Sequence, residues 1–186
     1  GTTSQQLGLT YMPLVNAASF ATRSVTARDY VLVKVTTTDG LEGIGLTYAG
    51  SLAGSVVQEA VDTLLAPLLI GQEAYRTEGM WDRMYRESLL HGRAGSVMRA
   101  SSALDIALWD VNARAVGLPL WQYLGAHADG SVPAYASGGY YRPDKSPNDL
   151  GAEMGSYVDK GFRAVKMKVG LRDLTEEEAR IRAVRE

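Results

Sequence analysis

The run Ala164-Val165-Lys166-Met167-Lys168-Val169-Gly170 restricts the fold of this chain more than any other stretch. Its alternation predicts a β-strand over residues 162–169, with Lys166 and Lys168 on one face and Val165, Met167 and Val169 on the other. A helical segment over residues 148–160 precedes it, and Gly170 and an acidic helix start follow it. A strand set between two helices is a parallel strand with apolar residues packed under a helix, so its other face looks into a barrel or sheet interior. Two ammonium groups then lie side by side. Their mutual repulsion, with partial burial, predicts a lowered pKa for at least one of them and hence a base near neutral pH, fit to take a proton from carbon. A solvated, charged strand edge is the competing reading of the same pair.

The neighbouring segments extend this pattern. Residues 132–137 predict a strand, 138–147 a loop and 174–186 a second helix, with Asp173 or Thr175 as its cap and Glu176, Glu177 and Glu178 complementing its N-terminal dipole. The polar connection over residues 125–130 marks a domain boundary, giving domains 1–130 and 131–186. A closed βα barrel takes eight such units in about 250 residues, and the second domain holds two. The sequence is therefore expected to be the front portion of a longer protein, its barrel truncated after about two βα units.

The first domain reads differently. Residues 7–14 predict a short strand whose end Pro13 confines to a sheet edge, and residues 16–28 a small, polar, mobile loop. Residues 30–37 and 41–48 form a hairpin about Asp39-Gly40. Gly43-Ile44-Gly45 lies inside that hairpin and lacks the third glycine and helix opening of a dinucleotide fingerprint, so a close backbone approach or a bulge is the better reading. Three helices follow. Residues 55–69 carry the stripe Val57, Ala60, Val61, Leu64, Leu65 and Leu68, with Pro67 expected to end or kink it. Residues 75–90 present Met80, Trp81, Met84, Tyr85 and Leu89 or Leu90 as a core face. Residues 98–116 bury Ala100, Ala103, Leu104, Ala107, Leu108 and Val111, and the small alanines imply tight packing.

Composition narrows the function. The chain has 186 residues, a net charge of −2 and no cysteine, which removes disulfides, thiolate nucleophiles and thiolate metal sites. Without basic blocks there is no footprint for nucleic acid or an acidic membrane surface, and a small-molecule partner is expected. The polar start carries no signal-peptide pattern and no apolar run reaches spanning length, so the expected location is cytoplasmic.

Taken in order, the hairpin and three helices, the helix Ala100-Ser101-Ser102-Ala103-Leu104-Asp105-Ile106-Ala107-Leu108-Trp109-Asp110 and the Lys-x-Lys strand resemble the enolase superfamily, in its mandelate racemase and muconate lactonizing enzyme branch. The resemblance covers essentially the whole chain. It implies an α+β capping domain, a hairpin or meander plus a three-helix bundle, followed by the start of a (β/α) TIM-like barrel. It also implies an isomerase or lyase that removes the proton α to a carboxylate to give an enediolate, in a racemase or acid-sugar dehydratase. In that scheme Lys168 is the general base, and Lys166 contacts the substrate carboxylate and tunes its neighbour. Tyr48, Tyr135 and Ser137 are implied substrate contacts, and a homo-oligomer is implied. Mg²⁺ is the implied cofactor, with its carboxylate ligands expected beyond residue 186 and none in this chain, so these residues alone are expected to be inactive. A non-catalytic fragment, or an oligomerisation or binding module, is the alternative.

Other residues are read structurally. Asp105 and Asp110 are five apart, not on one helix face as a metal pair, and suit a domain interface. His91 and His127 suit surface or capping positions, and Trp81, Trp109 and Trp121 suit core and interface packing.

Overall fold

The computed structural model describes residues 2–8, 27–50, 52–126, 129–142 and 144–186, with side chains from residue 28 onward. These fall into two compact units, residues 2–8 with 27–130, and residues 131–186. The first opens with a three-stranded antiparallel sheet of β1 (Thr2–Gly8), β2 (Ala27–Thr36) and β3 (Glu42–Gly50), in that spatial order. β1 begins earlier than the strand expected at residues 7–14, because its polar side chains hide it from a hydrophobic pattern while its backbone pairs with β2 from Thr2↔Val33 to Gly8↔Ala27. Residues 9–26, which hold most of the expected strand at 7–14 and of the expected loop at 16–28, lie outside the described residues.

The hairpin forms about its expected turn. Thr37 N donates to Leu41 O and Gly40 N to Thr37 O, at 2.9 and 3.0 Å, and Gly40 takes φ +90°, a conformation that needs no Cβ. The hairpin's one register shift falls opposite Asp29/Tyr30, which pair with Gly50 and Tyr48, so the extra residue, Ala49, lies in the return strand, away from Gly43 and Gly45.

Helix α1 (Gly54–Glu59) runs through a π-helical segment, Ala60–Leu65, into α2 (Ala66–Leu69). Pro67 has no N–H to donate and its ring crowds the carbonyl four residues back. The wider π turn immediately before it takes up this misfit, and the chain continues helical to Leu69. Val57, Val61 and Leu65 are buried along the stripe.

In α3 (Thr77–Glu87), Met80 and Met84 are buried and Trp81 packs on the core, but Tyr85, Leu89 and Leu90 are exposed. The helix stops at Glu87, so Leu89 and Leu90 sit in a turn where His91 N donates to Ser88 O at 2.9 Å. Tyr85 lies one helical step, about 100°, round from Met84.

α4 (Ser96–Ala115) organises the unit. All six residues of its expected stripe are buried, and Ala100, Ala103, Leu104 and Ala107 share one core cluster with Val31, Val33 and Ala49 of the sheet. The glycines of β3 explain the alanines. A Cβ on Gly45 would stand 1.8 Å from Ala103 O, and one on Gly43 would stand 2.2 Å from Ala107 O. Strand and helix backbones meet with nothing between them. α4 also ties down the free edge of β3: Asp110 Oδ2 accepts from Ile44 N at 2.8 Å and from Arg114 Nε at 3.0 Å. α5 (Leu120–Tyr123) is a single turn started by Pro119. There Tyr123 meets Trp109 with ring centroids 5.9 Å apart, whereas Trp121 is exposed, since a four-residue turn cannot bury both its aromatic residues.

The second unit runs β4 (Ala136–Ser137), α6 (Pro147–Asp159), β5 (Val165–Lys166) and α7 (Leu174–Arg185), with the two strands parallel. Both strands are shorter than the expected 132–137 and 162–169, and Val132 and Val169 are exposed. Among the described residues two strands pair in this unit, and a strand length that β-propensity suggests is realised only where a neighbour supplies the ladder. Ser146 caps α6 in a reciprocal box with Asp149, and Asp173, not Thr175, caps α7 by accepting from Glu176 N at 2.9 Å. α6 and α7 approach closely at Gly151, where a Cβ would lie 2.6 Å from Ala183 O.

Candidate active site

The parallel register sets the faces. Ala136 pairs with Val165 and Ser137 with Lys166. Side chains alternate along extended backbone, so Tyr135, just before β4, and Ser137 share a face with Lys166 and with Lys168, two residues past the end of β5. Hydrogen bonds carry the ladder past the two-residue strands: Ala136 N donates to Ala164 O, Gly138 N to Lys166 O and Lys168 N to Gly139 O, at 3.0, 2.9 and 3.3 Å. Both lysines are thus placed by paired backbone at the C-terminal ends of the strands, where ligands bind in parallel α/β folds.

Each ammonium has an aromatic neighbour. Lys166 Nζ lies 5.8 Å from the Tyr135 ring centroid and Lys168 Nζ lies 5.5 Å from that of Tyr140. Contacts of this kind hold a flexible lysine at about 0.5–1 kcal/mol where exposed. Lys166, Ser137 and Tyr135 are exposed and Lys168 is half-buried, so the face is open to a ligand.

The loop after β4 is shaped from both sides. Gly139 takes φ +62°, and a Cβ on it would stand 2.5 Å from Met167 Cβ, while one on Gly138 would stand 2.7 Å from Tyr157 Oη. Glu153 of α6 accepts from Gly139 N and Tyr157 Oη at 3.3 and 3.2 Å, and pairs with Lys145. Burial pushes the Glu153 carboxyl up, but these donors outweigh it and hold it below its usual range.

A buried cluster under the strand ends escaped the sequence reading. Glu177, expected only to complement a helix dipole, is buried with Oε1 accepting from the backbone N of Gly170, Leu171 and Arg172, each at 3.0 Å, and from the Tyr141 hydroxyl. Burial pushes its carboxyl up, and the Tyr141 hydroxyl and these amides more than offset that, leaving it below the usual range. Arg180, also buried, donates from Nη2 to Gly139 O and Lys168 O at 3.1 and 3.3 Å, with its guanidinium carbon 4.2 Å from the Tyr141 ring centroid. The one sequence signal was spacing, since Glu177 and Arg180 lie three apart on a helix.

The remaining expected residues stand elsewhere. Tyr48 is in the first unit, its ring 5.4 Å from Tyr30 and 5.6 Å from the Arg99 guanidinium, while Arg99 Nη1 donates to Tyr48 O. Asp105 is part-buried; burial, then the Glu78 charge, raises its carboxyl pKa against a hydrogen bond from Trp109. His91 is exposed, and His127 lies outside the described residues. Among the described residues no group of three or more His, Asp or Glu side chains converges as a metal site, so these residues do not fit the implied Mg²⁺.

A sheet backed by helices, followed by βα units with lysines at the strand ends, defines a known class. Residues 9–125 match the family model described as the mandelate racemase / muconate lactonizing enzyme N-terminal domain, and the chain belongs to that family. It is 34% identical over 158 residues to the arabinonate dehydratase of Saccharolobus solfataricus, covering 85% of this chain and 42% of that protein. It is 37% identical, over 85% of its length and 43% of the relative's, to the 3,6-anhydro-α-L-galactonate cycloisomerase of Streptomyces coelicolor. Among solved structures it resembles the L-talarate/galactarate dehydratase of Salmonella typhimurium, liganded with Mg and L-lyxarohydroxamate. That match has TM-score 0.86 and 28% identity over 99% of this chain and 46% of that one. A racemase from Streptomyces coelicolor with bound magnesium matches at TM-score 0.85 and 31% identity, over 100% and 50%. The chain thus spans about half the length of the relatives it matches. The fold is the family's N-terminal α+β module followed by the opening βα units of a (β/α) barrel.

Proposed function

We propose that these residues belong to an enzyme that removes the proton α to the carboxylate of an acid sugar, in a dehydratase or racemase reaction. The observation that carries this reading is the shared face of Tyr135, Ser137, Lys166 and Lys168 at the ends of two parallel strands. The names of the relatives, dehydratases and a cycloisomerase of sugar acids, support the substrate class. Lys168 Nζ takes the α-proton as general base: the C–H bond breaks, an N–H bond forms, and the electron pair moves into the carboxylate as an enediolate. Lys166, beside it, binds the carboxylate and gains in attraction as negative charge builds there. Ser137 and Tyr135 line the same face, and Tyr48 of the first unit is a further proposed substrate contact.

Mg²⁺ belongs to this reading because related structures contain it, with its ligands outside the described residues. The domain division at 130/131, a homo-oligomeric state and a cytoplasmic location complete the proposal. Among the described residues no helix is long and apolar enough to cross a membrane.

The test is α-proton exchange in D₂O by the full-length protein with arabinonate, mannonate and galactarate, followed by NMR. Lys168→Ala is expected to lower exchange by at least about 100-fold with the fold retained, the range of a lost general base. Lys166→Ala raises KM and also slows exchange. Wild-type exchange of the α-proton that survives Lys168→Ala undiminished rules out the base assignment.

A further inference from the structure

We infer that Arg180, held by Glu177 and Tyr141, is a positioning residue for Lys168. This rests on the proposed role of Lys168 and adds how its backbone is fixed. A single nitrogen, Arg180 Nη2, donates to Gly139 O at the end of one strand and to Lys168 O at the end of the other, and Gly139 O also accepts from Lys168 N. The guanidinium therefore clamps the two strand ends at the residue that carries the proposed base. Glu177 fixes the other side. Its Oε1 gathers the three amide N–H groups of Gly170, Leu171 and Arg172, the turn that leaves Lys168, and Gly170 there adopts φ +96°. Tyr141 links the two, its ring under the guanidinium and its hydroxyl donating to Glu177. Arg180 Nε lies 3.5 Å from Glu177 Oε2, so the charges are paired inside the unit.

None of the three needs to touch substrate. Lys166 lacks this support, since its carbonyl accepts from Gly138 N and Arg180 reaches only the Lys168 end. A lysine side chain is long and has many rotamers, so the placement of Nζ depends on how firmly its Cα is held.

The experiment uses the full-length protein with Arg180→Met, which keeps a long apolar side chain but removes both clamping hydrogen bonds. Tyr141→Phe is the milder second variant, keeping the ring and losing the hydroxyl. Trace acetylation of lysines, read peptide by peptide by mass spectrometry, is compared with the exposed Lys160 on the same unit. Arg180→Met is expected to raise the Lys168 rate relative to Lys160 by about fivefold, the scale of a lost hydrogen bond, with Lys166 unchanged, and Tyr141→Phe moves it in the same direction by less. Equal rises at Lys160, Lys166 and Lys168 mean general loosening and overturn the inference, as does no change in folded Arg180→Met. Alongside, kcat per folded molecule is expected to fall with KM little altered. A kcat per folded molecule equal to wild type also overturns it. Acetylation reads the clamp whether or not Lys168 is the base, and Lys168→Ala tests the base alone, so the two ideas fail separately.

Discussion

Asp105 shows how a single side chain can carry a stability signal opposite to its neighbours. Burial and the nearby Glu78 charge raise its carboxyl pKa, so the folded state binds its proton more tightly than the unfolded state. Its contribution is therefore most favourable at low pH and is lost as pH rises from the unfolded value to the folded one. Asp105→Asn keeps an acceptor for Trp109 and removes the charge, and it is expected to raise Tm at neutral pH. The gain should vanish at about pH 3, below the unfolded carboxylate pKa, where the wild-type side chain is protonated in both states. Thermal unfolding of the two proteins across that range checks the sign. Glu177 and Glu153 work the other way, their lowered values adding stability that is present above the unfolded pKa and lost as pH falls through the folded one. That Asp105 and Asp110 stand on different sides of α4 was legible from their spacing. That Asp110 would hold the Ile44 amide, 66 residues away, was not, because nothing local links them.

At the scale of elements, the fit of β3 against α4 is the most demanding contact in the first unit. Gly45→Ala would drive a Cβ to 1.8 Å from Ala103 O, a backbone atom that cannot step aside, so strand and helix must separate. The expected cost is about 3 kcal/mol, the upper range for overpacking a tight core, and denaturant unfolding measures it. Gly79→Ala, with nothing within 4 Å of the new Cβ, serves as the control and should be neutral or slightly stabilising through helix propensity. The small residues of both elements were visible in the sequence, and so was the close approach they imply. The π turn before Pro67 was not, because a kink, a stop and a widened turn all answer the same missing N–H, and packing chooses among them. The barrel strands likewise came out shorter than their composition suggested, since ladder partners set strand length.

For the whole molecule, the first unit carries a closed core, while the second presents two strands and two helices with the lysine face at the strand ends. Without a convergent acidic cluster among the described residues, the 186-residue chain alone is expected to show no saturable Mg²⁺ binding in calorimetry and no α-proton exchange. Saturable binding coupled to exchange would mean that this stretch builds its own metal centre. By itself the sequence determined the hairpin, the alanine face of α4, a cap for α7 at Asp173 or Thr175 and the alternation that sets Lys166 and Lys168 on one face, because each follows from local periodicity or from bonds between near neighbours. The tertiary structure alone decided which aromatic ring sits against each lysine. It also decided that Glu177, 36 residues beyond Tyr141, would join it and Arg180 beneath Lys168. Buried polar groups must find partners wherever the fold brings them, and that matching is a property of three-dimensional proximity that no local pattern records.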